Sequence, residues 1–344
     1  MVTAYCYDPL YLEHDLPDHP ENRARLEHIM RQLAADGLLE RMVQVPAQPV
    51  SMAALARVHA GAQISMVRRL AELGGGDLEP DTYVGPRSYA AALLAAGGCV
   101  EVVRAVLGGQ PHNGIALVRP PGHHATAQRS MGFCLFNNIA VAARVALDDY
   151  DLERVLIVDW DVHHGNGTQD IFYCSPQVLF FSTHQYPYYP GSGDWRERGA
   201  GAGEGYTVNV PLGAGVGDEG FARIYDQLLV PLAERYQPQL ILVSAGYDAH
   251  WNDPLADLRL SLDGYRHIAR VVVDLSSRLC AGRVVVILEG GYNLQVLAHG
   301  VASTCRALLG DDTVVADPLG PAPQPSRPIN QLLRMLRQAN GLAD

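Results

Sequence analysis

Asp159, Asp161, His163 and His164 follow directly on the apolar run Val-Leu-Ile-Val at 155–158, so carboxylates and imidazoles gather where a hydrophobic segment ends. A short β-branched run is the pattern of a parallel strand covered on both faces. Open α/β sheets place their ligands beyond the carboxyl ends of such strands. Side chains alternate along an extended chain, which puts Asp159, Asp161 and His163 on one side. Two carboxylates and a histidine there can hold a metal or relay a proton.

Four more polar clusters follow apolar runs: Arg-Pro-Pro-Gly-His-His-Ala at 119–125, Ser-Thr-His at 182–184, Ser-Ala-Gly-Tyr-Asp-Ala-His at 244–250 and Leu-Glu-Gly-Gly-Tyr-Asn at 288–293. Parallel neighbouring strands would bring these clusters to one rim. Catalytic zinc takes three His, Asp or Glu ligands and keeps a position open for water, and the candidates are Asp161, His163 and Asp248. Such a metal lowers the pKa of water toward neutrality, giving a nucleophile without serine or cysteine. No Gly-x-Ser-x-Gly elbow is present. Cys134 reads as a small buried residue rather than a nucleophile. His123 and His124 suit general base and general acid, because imidazole titrates near neutral pH. Tyr292 can turn a phenol toward a developing oxyanion.

The elements that must position these groups alternate along the chain. Apolar runs at 114–118, 155–158, 178–181, 240–243 and 284–288 are interleaved with helix-like segments at 137–147, 221–236 and 264–279. This predicts a single α/β domain with a central, mainly parallel sheet covered by helices on both faces. Residues 23–39 and 51–73 read as helices, 77–85 as a loop between helices, and 191–205 as a glycine-rich flexible connection. The domain is expected to span 1–316. A proline-rich extension, 317–344, would end in a docking helix with Ile329, Leu332, Leu333 and Leu336 at helical spacing.

Composition bounds the function. The 344 residues are 48% hydrophobic and 18% charged, as in a globular protein. The net charge of −11 gives no help toward a nucleic-acid backbone and would attract cationic substrates. All 26 basic side chains are arginine, which excludes Schiff-base lysines, pyridoxal-phosphate attachment and a P-loop lysine. No apolar stretch of membrane-spanning length and no leader-like N-terminus are read. Six scattered cysteines without a Cys-x-x-Cys pair fit a reducing compartment, so the expectation is a cytoplasmic protein with no membrane or nucleic-acid partner. The oligomeric state is left open.

Together with Gly-Phe-Cys-Leu-Phe-Asn-Asn at 132–138 and Asp-Trp-Asp-Val-His-His-Gly-Asn-Gly-Thr-Gln at 159–169, these motifs resemble the zinc-dependent histone deacetylases. The chain looks closest to the class II and bacterial deacetylase-like amidohydrolase branch, whose fold is related to arginase. The resemblance runs from Asp-His-Pro-Glu at 18–21 to about Leu309. It implies Asp161, His163 and Asp248 as ligands of one catalytic zinc, and Asp159 as the carboxylate orienting His123. His124 would be the general base-acid, His123 its electrostatic partner and Tyr292 the oxyanion stabiliser. Phe133 and Tyr189 would wall a substrate tunnel. One or two structural potassium ions are also implied. The first would use Asp159, the backbone carbonyls of Asp161, His163 and Thr183, and the Ser182 hydroxyl; the second the region of Phe172, Ser175 and Val178.

Two departures bear on function. Asn166 stands where class I enzymes place a carboxylate beside the second histidine, which is the class II pattern. Leu255 stands where polyamine-selective relatives carry a glutamate that favours a second cationic nitrogen. The implied activity is hydrolysis of the amide of acyl-lysine side chains, on peptides or small N-acyl amines, with water activated on the metal as nucleophile. The alternatives are an acetylpolyamine or other small-amide amidohydrolase, a non-catalytic acyl-lysine binding module, and an arginase-like two-metal hydrolase.

Overall fold

Every residue of the five expected strands is buried, which is why β-branched and leucine side chains fill them without alternation. In the computed structural model, which describes residues 2–342, the first half of the chain forms β1 (Thr3–Cys6), α1 (Ala24–Ala35), β2 (Val43–Gln44), α2 (Met52–Leu55), α3 (Gly61–Glu72), β3 (Gly76–Glu79), β4 (Thr82–Val84), α4 (Ser88–Leu107), β5 (Asn113–Ala116) and α5 (Asn138–Asp149). There follow β6 (Val155–Asp159), α6 (Asn166–Phe172), β7 (Val178–Gln185), β8 (Thr207–Leu212), α7 (Asp218–Ile224) and α8 (Val230–Tyr236). The chain closes with β9 (Leu240–Ala245), α9 (Leu262–Leu279), β10 (Val284–Leu288), α10 (Leu294–Leu309) and α11 (Asn330–Ala339). Met1 and the last two residues of the expected extension, Ala343 and Asp344, lie outside the described residues.

Eight strands form one sheet in the order β2-β1-β5-β10-β9-β6-β7-β8, and all seven pairings are parallel. The late strands β9 and β10 fill the gap between β5 and β6, so the loops after β5, β6, β9 and β10 meet at one end. Helices cover both faces, as β1 illustrates. Thr3 donates its hydroxyl to Leu308 O on α10, while Cys6, on the opposite face, lies under Gly98 of α4. The α/β architecture expected from the alternation is the one observed.

Several boundaries differ from the sequence reading. Residues 77–85 form most of an antiparallel hairpin, β3–β4, rather than a loop. The 51–73 segment is two helices, α2 and α3, and 221–236 is interrupted by a π turn at Tyr225–Leu229. β1, β2 and β8 were not anticipated. β7 continues four residues past Phe181, so Ser182, Thr183 and His184 lie inside a strand instead of following one. The glycine-rich 191–205 segment is tied down: His184 Nε2 donates to Gly193 O at 2.9 Å, and Gln169 Nε2 to Glu197 Oε2 at 2.6 Å.

One compositional reading needs correction. The 20-residue α4 is long and apolar enough by length and composition to cross a membrane. Most of that stretch, 67%, is buried within the fold, where α4 packs on α5 and on β1, β5 and β10. The tail returns to the body: Ile329, Leu333 and Leu336 are buried, and α11 lies against the π turn.

Candidate metal centre and active site

β6 ends at Asp159, and the chain then bends, so strand alternation does not bring Asp161 and His163 together. Backbone hydrogen bonds do. Asp161 Oδ1 accepts from His163 N at 2.9 Å, and Asp161 Oδ2 from Gly290 N at 2.8 Å. Asp248, three residues beyond β9, accepts from Val162 N at 2.9 Å through Oδ1. His163 Nδ1 then lies 3.2 Å from Asp161 Oδ1 and 3.4 Å from Asp248 Oδ2. One donor atom from each of the three falls within 4.8 Å of the others.

The trio fits a divalent cation. All three side chains are buried, and Asp248 Oδ2 is a buried carboxylate oxygen that accepts no hydrogen bond in the structure. A buried carboxylate oxygen that accepts no hydrogen bond is costly. One imidazole and two carboxylates match the ligand chemistry of a catalytic zinc. Burial disfavours a charged His163, but the hydrogen bond to Asp161 and the nearby carboxylate of Asp248 outweigh it and raise its pKa to about 10. Metal binding here therefore competes with a proton. Gly290 has to be glycine, because a Cβ would overlap the carboxylates of both Asp248 and Asp161. Among the described residues no second group of such donors exists, which leaves the two-metal alternative without a second ligand set.

His123 and His124 follow β5, with ring centroids 4.0 Å apart. His123 Nδ1 donates to Asp159 Oδ2 at 3.0 Å, and Asp159 Oδ1 accepts from Asp161 N at 3.1 Å. Burial opposes a charge on His123, yet Asp159 and Asp161 prevail and raise its pKa to about 10. His124 moves the other way. Burial, then His123 and His163, push its pKa well below 6.5. Its Nδ1 donates to Asn166 Oδ1 at 2.8 Å, which leaves Nε2 of the neutral ring as an acceptor. Adjacent imidazoles with opposed acidities suit one proton acceptor and one fixed cation.

A cavity of about 90 Å³ opens over these groups, lined by Phe133, Tyr189, Leu255, Tyr292, Cys134 and Asp81 among others. Phe133 and Tyr292 meet edge to face at 5.8 Å, and Tyr189 stands edge-on to His124 at 5.2 Å. Phe133 sits at φ 67° and Gly132 at φ 55°, in a two-residue turn closed by mutual Met131–Cys134 backbone bonds. Positive φ at both central residues is the hairpin-turn geometry that bulky residues resist. A Cβ on Gly132 would also overlap the His124 ring. Burial first, and Asp248 next, hold the Tyr292 phenol well above its ordinary pKa of 10.0, so it stays an O–H donor.

Sequence reasoning gave no role to several supporting residues. Arg25 donates Nε to Gly291 O at 2.8 Å, binds the Glu289 carbonyl and lies 5.2 Å from the Tyr292 ring centroid. Glu21 joins Arg25 to Arg119. Glu289 accepts from Gly122 N at 2.7 Å and His123 N at 3.2 Å. Asp253 accepts from Tyr292 N at 2.8 Å, and Tyr188 stacks on His163 at 5.8 Å. Glu21 and Glu289 lay inside quoted motifs, but the contacts of Arg25 span more than 260 residues and leave no local trace. Ser182 pairs with Asp159 across β6 and β7, and Thr183 Oγ1 donates to Asp159 O at 3.4 Å. Ser175 N donates to Phe172 O at 2.9 Å just before β7.

Residues 19–308 match the histone deacetylase domain. A probable deacetylase of Archaeoglobus fulgidus is 42% identical over 298 residues, 86% of this chain and 82% of that protein. The histone deacetylase-like amidohydrolase of Pseudomonas aeruginosa is 39% identical over 88% of this chain and 79% of its own length. The crystal structure of the HDA15 HD domain superposes with a TM-score of 0.91 at 37% identity, covering 98% of this chain and 94% of that one. With its parallel eight-stranded sheet and the buried cluster at the sheet's end, the chain belongs to the histone deacetylase family of deacetylases and amidohydrolases.

Proposed function

We propose that the protein hydrolyses the amide of acyl-lysine side chains, with one zinc held by Asp161, His163 and Asp248. The observation that carries this is the narrow cavity whose floor joins that trio to two histidines of opposed acidity. Zinc, when bound, supplies Lewis acidity to the acyl carbonyl and lowers the pKa of water toward neutrality. Phe133 and Tyr189 flank the alkyl chain, and the fixed cation on His123 favours negative charge developing on the carbonyl oxygen. Tyr292 donates its O–H to that oxygen. Nε2 of His124 takes the proton of the attacking water and later delivers it to the leaving amine. Asp159 holds His123 in place. One or two potassium ions are proposed to stiffen this floor, the first at Asp159, Ser182 and Thr183 with the carbonyls of Asp161 and His163, the second around Phe172, Ser175 and Val178.

Leu255 puts an alkyl group at the cavity wall, which gives a second cationic nitrogen no carboxylate there. We therefore rank acyl-lysine above acetylpolyamine. The test is metal analysis plus turnover of an acetyl-lysine peptide and of acetylspermidine at equal concentration. The expected result is about one zinc per chain and faster peptide hydrolysis. Zinc-free protein that turns over its substrate would overturn the metal assignment, faster acetylspermidine cleavage would reverse the ranking, and tight peptide binding without product would indicate a binding module.

A further inference from the structure

Residues 311–328 connect α10 to α11 with neither helix nor strand, and they lie beyond the matched domain. Irregular stretches of this length are uncommon in compact domains unless they serve a function. This one is anchored at a particular place. Asp317 Oδ2 accepts from Leu262 N at 3.0 Å, at the start of α9, and from His250 Nε2 at 3.3 Å. His250 is fully buried. Its Nδ1 accepts from Asn252 N at 3.1 Å, which places the ring proton on Nε2, facing Asp317. Next to it, Trp251 donates Nε1 to Gly320 O at 3.1 Å.

Both anchors fall in the loop 249–255, which starts one residue after Asp248 and ends at Leu255 in the cavity wall. Inside that loop Asp253 N donates to His250 O at 3.0 Å. The Asp253 carboxylate accepts from Leu255 N at 3.0 Å on Oδ1, and from Tyr292 N at 2.8 Å and Asn293 N at 3.1 Å on Oδ2. A continuous set of hydrogen bonds thus leads from the tail through His250 and Asp253 to one wall of the cavity and to the backbone of Tyr292.

We infer that residues 317–320 are a strap that sets the loop between Asp248 and Leu255, with Asp317 a positioning residue acting through His250 on Leu255 and Tyr292. Without Asp317 the buried Nε2–H of His250 loses its acceptor, and the loop shifts to satisfy it. The strap places two points of one loop at once, which a single contact does not do. Its effect on turnover rests on the deacylase reading; its effect on loop order does not.

The experiment uses the full chain and combines hydrogen–deuterium exchange with steady-state kinetics on an acetyl-lysine peptide. Asp317→Ala is expected to speed exchange in 249–255 and 290–294 while β6 stays protected, with zinc content unchanged. Turnover should fall roughly threefold to thirtyfold, the range of such indirect couplings. Asp317→Asn, which keeps an acceptor, should restore most of the loss. In a Tyr292→Phe background the Asp317→Ala loss should shrink, because coupled residues do not add. Unchanged exchange in both segments, or an equal loss with and without the Tyr292 hydroxyl, would overturn the strap. If Asp317→Ala does not fold, Trp251→Phe takes its place, and unchanged exchange in 249–255 is then the overturning result. If the wild-type chain does not cleave the peptide, the acyl-lysine reading fails and the exchange data alone decide the strap.

Discussion

His123 and His124 are adjacent in sequence and similarly buried, yet their partners shift their pKa values in opposite directions, toward the cation on His123 and the neutral ring on His124. Two carboxylates face His123, while an amide oxygen and two imidazoles face His124. Composition alone offers two equivalent imidazoles. The difference between them comes from what each ring meets. Tyr292 is the other residue whose chemistry depends on its surroundings, since burial keeps its phenol protonated. Replacing it by phenylalanine removes the donor proposed for the developing oxyanion and leaves the ring packing with Phe133. The expected loss is roughly a hundredfold or more in kcat with KM little changed. Near-normal turnover by Tyr292→Phe would remove that residue from the chemistry.

At the scale of elements, the site is made by strand ends and by two tight backbone approaches. One is the Gly132–Phe133 turn, whose left-handed geometry points Phe133 into the cavity. The other is Gly290, whose N–H holds Asp161 while its missing Cβ leaves room for both carboxylates. Gly290→Ala is expected to displace the Asp161 and Asp248 carboxylates and so to hold far less zinc than the one per chain proposed for the wild type. Metal content by elemental analysis checks this, and full occupancy in the alanine variant would refute the close-packing argument. The sequence made the buried strands and their polar ends legible, because covered parallel strands are uniformly apolar. It did not make legible where β7 stops: Ser182, Thr183 and His184 are polar, yet all three are buried within the strand. Their polar atoms are satisfied in the interior, as when Ser182 Oγ pairs with His184 Nδ1 at 2.9 Å.

The whole molecule carries a buried charge centre behind the site. Burial would raise the Glu21 pKa, but Arg119 and Arg25 outweigh it and hold it at about 2. His14 lies 3.5 Å from Glu21 without forming an ion pair at neutral pH, since burial takes its pKa down to about 3. His59 is likewise lowered to about 4 by burial, with Nε2 accepting from Asn137 N at 2.8 Å. All three groups bind protons less readily folded than unfolded, so each stabilises the fold above its ordinary pKa. For the histidines that stability is lost as pH falls from 6.5 toward 4 and 3; for Glu21, from 4.5 toward 2. The contribution of each such histidine to the unfolding free energy should therefore drop between pH 7 and pH 5, by up to ~1.4 kcal/mol per pH unit, against the opposite contribution of His123 and His163, whose pKa values are raised. Urea midpoints at the two pH values, compared between wild type and His59→Gln, measure this: the variant should lose less stability than the wild type on going from pH 7 to pH 5. A pH dependence that is the same in wild type and His59→Gln would contradict the buried-neutral assignment.

The candidate reactive groups could be named from the chain itself. Asp161, His163, Asp248, His123, His124 and Tyr292 each belong to a polar cluster beside an apolar run, and residue type limits what chemistry they can do. The parallel sheet was legible for the same reason. Tertiary structure alone decided that Asp161 and Asp248, 87 positions apart, share one imidazole, because β9 inserts beside β6. It also decided that Arg25 supports Tyr292, and that a tail beyond the matched domain reaches the loop after Asp248. Local sequence carries propensity and periodicity. Which distant groups share a buried volume, and so which are protonated, is set by the topology of the sheet.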